Sequence, residues 1–248
     1  MTNILVLPDI HGRDFWKKPI ANKDKFDHIV FLGDYFDPYP SENISYEDSL
    51  NNFKDILSSF TEEELDPDVG KVEFLMGNHD YAYIEGDTEV SRYSRQYDKQ
   101  FREILTKLLQ NNQLVLNTWI TIKNTTYLFT HAGIHYEWYL ENPELCNLNT
   151  PGIIKYPLKE ILKNYGLSER INMAGLRRGG FYNSGGPLWC DVLDFVNMQK
   201  FSPYYQIFGH SQVKFPIDNT HIEKCEKFAC LDCKKAFIID EKGIRKYD

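Results

Sequence analysis

Five short polar motifs in this sequence carry side chains that could bind metal ions and transfer a proton. In chain order they are Asp-Ile-His-Gly at 9–12, Gly-Asp-Tyr-Phe-Asp at 33–37, Gly-Asn-His-Asp at 77–80, Thr-His-Ala-Gly at 130–133 and Gly-His-Ser at 209–211. Their carboxylates, imidazoles and amide oxygen are ligands for divalent metals, and without a thiolate they suit manganese, iron or zinc. Two such ions sharing one carboxylate are suited to displacement at phosphorus. The motifs therefore predict a dinuclear metal site with phosphoesterase chemistry.

The first two motifs supply the ligands of one metal ion. Asp9 and His11 are two residues apart, so both side chains can chelate the same ion from a tight turn, where Gly12 lets the backbone pass without a Cβ clash. Asp34 follows the next strand-like run, and ligands at the carboxyl ends of neighbouring strands converge on one crevice. We expect Asp34 to bridge two ions that lie about 3.5–4 Å apart.

The second metal ion takes its other ligands from the three later motifs. Asn78, His131 and His210 complete its set, and the amide oxygen of Asn78 adds a ligand without adding negative charge. Taken one at a time, an Asp after a strand is usually a turn residue and an isolated His is usually a surface or core residue. Their joint occurrence at five strand ends favours a common site.

Short apolar runs place every motif at the end of a predicted strand. Each run is rich in β-branched or aromatic residues and is closed by Gly, Asp, Asn or His, as expected for buried strands that lead into functional loops. The runs are 4–7, 29–32, 72–76, 127–129 and 207–208. A hairpin is predicted over 118–122 and 127–130, and three further strands at 228–231, at 236–239 and near Ile244.

Two helices are predicted between these strands. One begins near Ser45, where Asp48 forms a capping-type pair three residues later, and continues to Phe60. The other spans 101–109, where the apolar residues repeat on a single helical face. The combination predicts an α/β fold with mixed sheets.

Length and composition favour one domain over residues 1–248. The least regular stretch, 134–186, is predicted to be a cap over the site or a surface connection. A net charge of −8 argues against a general nucleic-acid or membrane-surface binder, and no apolar stretch approaches the length of a membrane span. The odd count of five cysteines favours a reducing compartment, so a cytoplasmic location is predicted.

The motifs as quoted resemble the calcineurin-like metallophosphoesterase superfamily. They are most similar to its phosphoprotein phosphatase branch, which includes bacterial and phage Ser/Thr phosphatases and symmetrical diadenosine-tetraphosphate hydrolases. The resemblance extends from residue 9 to about residue 232 and includes Pro-Leu-Trp-Cys-Asp at 187–191 and Leu-Asp at 231–232. It implies two mixed β-sheets packed as a sandwich flanked by helices, with a two-metal site at the carboxyl ends of the strands.

The resemblance also implies a role for each matching residue. The metal ligands would be Asp9, His11 and Asp34 for the first ion, and Asp34, Asn78, His131 and His210 for the second. His79 would donate a proton to the leaving oxygen, and Asp37 would orient its imidazole. This pair makes chemical sense by itself, because a departing alkoxide needs a proton and a carboxylate fixes the tautomer of the ring. A hydroxide bridging the metals would attack phosphorus.

Two positions depart from the family pattern. The second motif commonly continues with an Arg that grips phosphate, whereas Pro38 follows Asp37 here. We expect Arg178 or Arg177, beside two glycines, to replace it, with Arg92 and Arg95 as the other candidates. The second departure is Gln212, which stands where many phosphodiesterases of the superfamily have a second metal-binding His, and this favours the phosphoprotein phosphatase branch.

The leading functional hypothesis is a metal-dependent phosphoesterase, most similar to a Ser/Thr protein phosphatase. A dinucleoside polyphosphate hydrolase is the alternative within the same chemistry, since the sequence does not specify the cleft. A non-catalytic metal-binding scaffold is the alternative from another class, but metal binding alone would not require His79 and Asp37. A nuclease is disfavoured by the acidic balance and by Gln212. The expected partner is a phosphoprotein, a small phosphate ester or a nucleotide.

Overall fold

The computed structural model describes residues 2–150, 152–196, 198–219 and 224–248. The strands are β1 (Ile4–Leu7), β2 (His28–Phe31), β3 (Val72–Leu75), β4 (Leu114–Val115), β5 (Asn117–Ile122), β6 (Thr125–Thr130), β7 (Tyr205–Phe208), β8 (Ile217–Asp218), β9 (Lys227–Cys230), β10 (Phe237–Asp240) and β11 (Gly243–Lys246). The helices are α1 (Lys17–Ile20), α2 (Tyr46–Ser58), α3 (Asn78–Glu85), α4 (Asp98–Gln110), α5 (Tyr136–Glu141), α6 (Leu158–Lys163), α7 (Tyr165–Ile171) and α8 (Val192–Phe195).

The chain divides into two units, each with its own mixed sheet. The first unit is Met1–Leu114 with Lys234–Asp248, and the second is Val115–Cys233. A six-stranded sheet has the order β11-β10-β1-β2-β3-β4, and a five-stranded sheet has the order β5-β6-β7-β9-β8. The predicted α/β class with two mixed sheets flanked by helices is therefore confirmed. The assignment of 1–248 to one domain stays a prediction.

Parallel pairing aligns the strands that carry the motifs. In the first unit β1 pairs with β2 and β2 with β3, all parallel, while β10 and β11 are antiparallel. In the second unit β6, β7 and β9 are parallel neighbours, with β5 and β8 antiparallel at the edges. Since parallel strands end at the same edge of a sheet, the residues that follow them collect there.

Stacked aromatic rings anchor the second motif of the first unit. Tyr35 stacks on Phe53 of α2 with 4.3 Å between ring centroids, and Phe36 stacks on Phe101 of α4 at 3.9 Å. All four side chains are fully buried. Each such ring removes a large apolar area from water and gains further from its stacking geometry. The two carboxylates that flank these rings in the motif are thereby held by the core.

The two predicted helices are present, and the other helices of the described residues were not predicted. Helix α2 begins after Ser45, whose hydroxyl accepts from the amide of Asp48 at 3.0 Å, so the capping pair is confirmed. Helix α4 buries the expected apolar face. Among the helices that were not predicted, α3 was missed because its buried residues include polar residues of the third motif. A burial pattern of that kind carries no amphipathic signal.

The stretch 134–186 is more regular than its composition indicated. It contains the short helices α5, α6 and α7, and isolated bridges join Cys146 to Ile154 and Gly175 to Tyr182. Apart from Pro151, which lies outside the described residues, all of it is described. Its role as a cap or a connection stays a prediction.

Candidate metal centre and proton donor

Three buried side chains of the first unit form a group with the geometry of a metal site. Asp9 and His11 follow β1, and Asp34 follows β2, the parallel neighbour of β1. Each residue offers one ligand atom, and these atoms all lie within 4.8 Å of one another. The structure thus brings together the three residues that the sequence assigned to the first ion.

The backbone at this group is held in an unusual conformation. Positive φ angles occur at Asp9 (29°), His11 (43°) and Asp34 (54°), none of which is glycine. Such angles cost free energy for residues with a Cβ and persist only where the surroundings enforce them. Here the amide of His11 donates to the carbonyl oxygen of Asp34 at 2.7 Å, which ties the two turns together.

The imidazole of His11 is in the state that a metal ligand requires. Its Nδ1 donates to the carbonyl oxygen of Phe36 at 2.7 Å, which leaves the lone pair on Nε2, 3.5 Å from Oδ2 of Asp34. Burial lowers the pKa of His11 well below its ordinary value, against the opposing effect of Asp34. A neutral ring oriented by a carbonyl is the usual arrangement of a metal-binding histidine. The donor set therefore fits a divalent ion.

A buried carboxylate that the sequence did not single out supports this group. Asp80 accepts the backbone amides of Asp34 (2.7 Å), Tyr35 (3.1 Å) and Gly77 (2.8 Å). Burial and the charge of Asp34 raise the pKa of Asp80 to about 7, while the three amides act in the opposite direction. Asp80 thus connects the loop after β2 to the start of α3. The sequence feature that could have identified Asp80 is its place at the end of the third motif.

The turn into α3 places Asn78 and His79 next to Asp34. A Cβ at Gly77 would lie 2.1 Å from Oδ1 of Asp34, so only glycine permits this approach. The same Oδ1 accepts the amide of His79 at 3.0 Å. Asn78 is buried as the first residue of the helix. The third motif therefore lies against the ligand group.

His79 and Asp37 form the pair expected of a proton donor and its orienting carboxylate. Nδ1 of His79 lies 2.7 Å from Oδ2 of Asp37, and both side chains are buried. Burial alone would lower the pKa of His79, but the charge of Asp34 and the bond and charge of Asp37 outweigh it and raise that pKa. Burial raises the pKa of Asp37, an effect opposed by its hydrogen bond from His79.

A tyrosine missed in the sequence completes this pair. The hydroxyl of Tyr83 donates to Oδ1 of Asp37 and accepts the amide of Ser94 at 2.8 Å. Both oxygens of Asp37 are therefore engaged, one by the imidazole and one by the phenol. The position could have been found from its spacing, because Tyr83 lies one helical turn after His79.

The second unit brings together the two histidines assigned to the other ion. His131 follows β6, and His210 follows β7 after one glycine, at the same edge of two parallel strands. Nε2 of His131 lies 3.2 Å from Nδ1 of His210. The amide of Gly209 donates to the carbonyl oxygen of His131 at 2.8 Å, and the ring of Trp189 meets His210 edge-on at 5.5 Å.

The two arginines predicted to hold phosphate are paired with acids of the second unit. Nε of Arg178 lies 2.9 Å from Oδ2 of Asp191, and its Nη2 donates to the hydroxyl of Ser211 at 2.6 Å. Arg177 is exposed and donates to Asp194 at 2.7 Å. Their role in phosphate binding stays a prediction.

Comparison with known proteins agrees with this geometry. A sequence model of the calcineurin-like phosphoesterases matches residues 2–214. No curated protein matches the chain significantly. Among solved structures, a cold-active protein tyrosine phosphatase from a psychrophilic Shewanella species has 16% identity and a TM-score of 0.52, with 99% of this chain and 77% of that chain covered. A mutant cold-active protein tyrosine phosphatase has 17% identity, the same TM-score and the same coverage.

A third solved structure is also similar to this chain. A protein serine/threonine phosphatase from Saccharomyces cerevisiae has 13% identity and a TM-score of 0.48, with 100% of this chain and 80% of that chain covered. Within the described residues, no helix has the length and apolar character needed to cross a membrane.

Proposed function

Since the chain belongs to the calcineurin-like phosphoesterase family and is a metal-dependent hydrolase of phosphate esters, we propose that it is a Ser/Thr-type protein phosphatase. Its substrate is then a phosphomonoester whose leaving group is the alkoxide of a serine or threonine side chain. The observation that carries this choice is the buried contact between His79 and Asp37, with 2.7 Å between nitrogen and oxygen.

The leaving group explains why this contact supports the proposed substrate class. An alkoxide is a strong base and leaves poorly unless it receives a proton, whereas a nucleotide phosphate leaves without much help. A buried imidazole with a raised pKa, held by a carboxylate, is suited to supply that proton. A dinucleoside polyphosphate hydrolase would gain less from such a donor, and a metal-binding scaffold would gain nothing.

We propose the metal ligands in two sets that share one carboxylate. Asp9, His11 and Asp34 hold one ion, a set supported by their convergence in the first unit. The other ion takes Asp34 again with three residues of the later motifs, Asn78, His131 and His210. When bound, two divalent ions supply Lewis acidity toward the phosphoryl group and a nucleophile near neutral pH. Manganese, iron and zinc all accept these donors.

The residues of the chain then divide the remaining work. His79 holds a proton at Nε2 and passes it to the serine or threonine oxygen as the bond from that oxygen to phosphorus breaks. Asp37 fixes the tautomer through Nδ1, and Tyr83 holds the other oxygen of Asp37. The predicted cytoplasmic location belongs to this proposal, and fractionation of cells that express the protein tests it.

A substrate panel with added manganese tests the proposal. It contains phosphoserine, phosphothreonine and phosphotyrosine peptides, p-nitrophenyl phosphate and diadenosine tetraphosphate, each at several concentrations. We expect the highest kcat/KM on the phosphoserine and phosphothreonine peptides. A higher kcat/KM on diadenosine tetraphosphate than on both of these peptides would contradict the proposal in favour of the polyphosphate hydrolase. Absence of turnover on the whole panel by metal-loaded protein would favour the scaffold.

A further inference from the structure

Arg92, between α3 and α4 in the first unit, touches the proton donor directly. Its Nη2 lies 3.1 Å from Nε2 of His79, and its Nη1 donates to the carbonyl oxygen of Asp37 at 2.5 Å. Arginine has only donors, so Nε2 of His79 accepts here and the ring proton lies on Nδ1, toward the carboxylate of Asp37. The guanidinium is therefore hydrogen-bonded to Nε2, the ring atom from which His79 would deliver a proton.

Two contacts and a left-handed backbone conformation hold Arg92 in its position. Its guanidinium carbon lies 3.6 Å from the ring centroid of Tyr39, a close stacking contact. The hydroxyl of Tyr46 donates to its backbone carbonyl oxygen at 2.6 Å. Its φ of 68° is in the left-handed region, as at Asp9 and Asp34. A strained backbone that the surroundings enforce is typical of functional positions.

Three cations lie around the ring of Tyr39, and Arg92 differs from the other two in its partners. Arg13 and Lys234 lie 5.2 and 5.9 Å from the ring centroid of Tyr39, and both pair with Glu42. Within the described part of the chain, Arg92 forms no ion pair, and its donors go to a carbonyl oxygen and a ring nitrogen. Its remaining N–H groups and its positive charge are thus available to an anion.

We propose that Arg92 is the residue that binds the phosphoryl group, in place of the arginine expected at Pro38. The inference rests on the proposed function for the identity of the leaving group, but the anion it concerns is phosphate itself. Nη2 moves from His79 to a phosphoryl oxygen when substrate binds, and the stack on Tyr39 keeps the guanidinium near. Nε2 of His79 is then relieved of the donor and can carry the proton for the leaving oxygen.

The other candidate arginines are less suited to this role. Arg178 is already paired with Asp191 and bonded to Ser211, so an incoming phosphate would have to displace both. Arg177 is paired with Asp194. Arg95 is exposed in the same segment as Arg92 and therefore serves as a matched control, since it has the same charge and lies three residues away.

The test measures affinity for inorganic phosphate, which requires no turnover. Arg92→Ala, Arg92→Lys, Arg95→Ala and Arg178→Ala are each loaded with manganese and titrated with phosphate by calorimetry, with metal content and thermal unfolding measured in parallel. Loss of a charge-assisted contact predicts phosphate binding about 10–100-fold weaker in Arg92→Ala. Arg92→Lys should recover part of the loss, because it keeps the charge without the planar fork. Arg95→Ala should equal wild type, and metal content should not change.

Each outcome decides the inference separately from the proposed function. Wild-type phosphate affinity in folded, metal-loaded Arg92→Ala overturns it, and a loss confined to Arg178→Ala assigns the contact to the second unit instead. If Arg92→Ala does not fold, a smaller but measurable loss of phosphate affinity must appear in folded Arg92→Lys, and wild-type affinity there overturns the inference. Should the weakened phosphate binding be found in a protein that prefers diadenosine tetraphosphate, the role of Arg92 holds and the proposed substrate class fails.

Discussion

The two units of the chain supply different kinds of functional side chain. In the first unit the ligand group and the His79–Asp37 pair are enclosed by further hydrogen bonds, which His11 donates to the carbonyl oxygen of Phe36 and Tyr83 donates to Asp37. In the second unit His131 and His210 contact each other, with 3.2 Å between Nε2 of His131 and Nδ1 of His210, and each follows one of two parallel neighbouring strands.

This contrast separates metal binding from proton transfer. A histidine that delivers a proton needs a partner that fixes its tautomer and adjusts its pKa, and the first unit contains that partner. His131 and His210 of the second unit are proposed as metal ligands and deliver no proton. We therefore expect substitutions in the first unit to affect metal binding or proton transfer, depending on the residue, and those at the two histidines of the second unit to affect metal binding.

The largest effect is expected for Asp34→Ala in the first unit. In the proposed site Asp34 is shared by both ions, so its loss would remove a ligand from each. Because metals contribute several kcal/mol to transition-state stabilisation, turnover should fall by about 10³-fold or more. Elemental analysis should find fewer than two ions per chain. A variant that keeps two ions and wild-type turnover would contradict the bridging role.

His79→Ala should separate chemistry from metal content within the same unit. Removing the proton donor should lower turnover of phosphoserine peptides by about 10²–10⁴-fold, with two ions retained. The loss on p-nitrophenyl phosphate should be smaller, because nitrophenolate leaves without a proton. In wild type the alkaline limb of the pH profile should lie above pH 6.5, since the pKa of His79 is raised, and turnover should decline as pH rises through that pKa. Equal losses of turnover on both substrates would mean that His79 is not the proton donor to the leaving group.

In the second unit, His210→Ala should weaken metal binding and leave the proton donor intact. Loss of a ligand should reduce affinity for one ion by at least the roughly 10–100-fold typical of an outer-shell partner. Excess manganese should restore most of the activity, which is the expected contrast with His79→Ala. Titration of the apoprotein with manganese measures both. If excess metal restores His79→Ala but not His210→Ala, the division between the units is wrong.

Tyr83→Phe should have a smaller effect that reports on the pair itself. In wild type the hydrogen bond from Tyr83 lowers the pKa of Asp37. Without this bond Asp37 becomes more basic and stabilises protonated His79 further. We expect turnover about 10-fold lower and an alkaline limb displaced to higher pH. A change in stability without any displacement of the pH profile would mean that Tyr83 contributes to packing and not to the properties of the His79–Asp37 pair.

The smallest effect is expected for Arg177→Ala in the second unit. The side chain is exposed, and its ion pair with Asp194 is of the surface kind that contributes about 0–1 kcal/mol. Stability and phosphate affinity should stay close to wild type, as measured by urea unfolding and calorimetry. A clear loss of phosphate affinity would support the arginine predicted from the sequence and would place part of the anion contact in the second unit.

Much of the fold could be predicted because its signals are local. The strands that end at the first, second and third motifs occur within about one residue of their predicted bounds, and so does the cap of α2. These elements have apolar runs with clear ends or a capping pair. Helix α3 could not be predicted in this way, and β4 and β8, each two residues long, carry too few residues for a pattern.

The sequence by itself determined the chemical inventory and the family, because the type and order of the motif residues are sufficient for both. The pairing of parallel strands, which brings Asp9, His11 and Asp34 together, also follows from where the apolar runs end. Which arginine stands beside the proton donor was decided by tertiary structure alone. Arg92 lies 55 residues from the carbonyl it contacts, and only the stacking on Tyr39 and the folding of α3 against the second motif bring it there. Contacts over such separations leave no periodic or local trace in a single sequence.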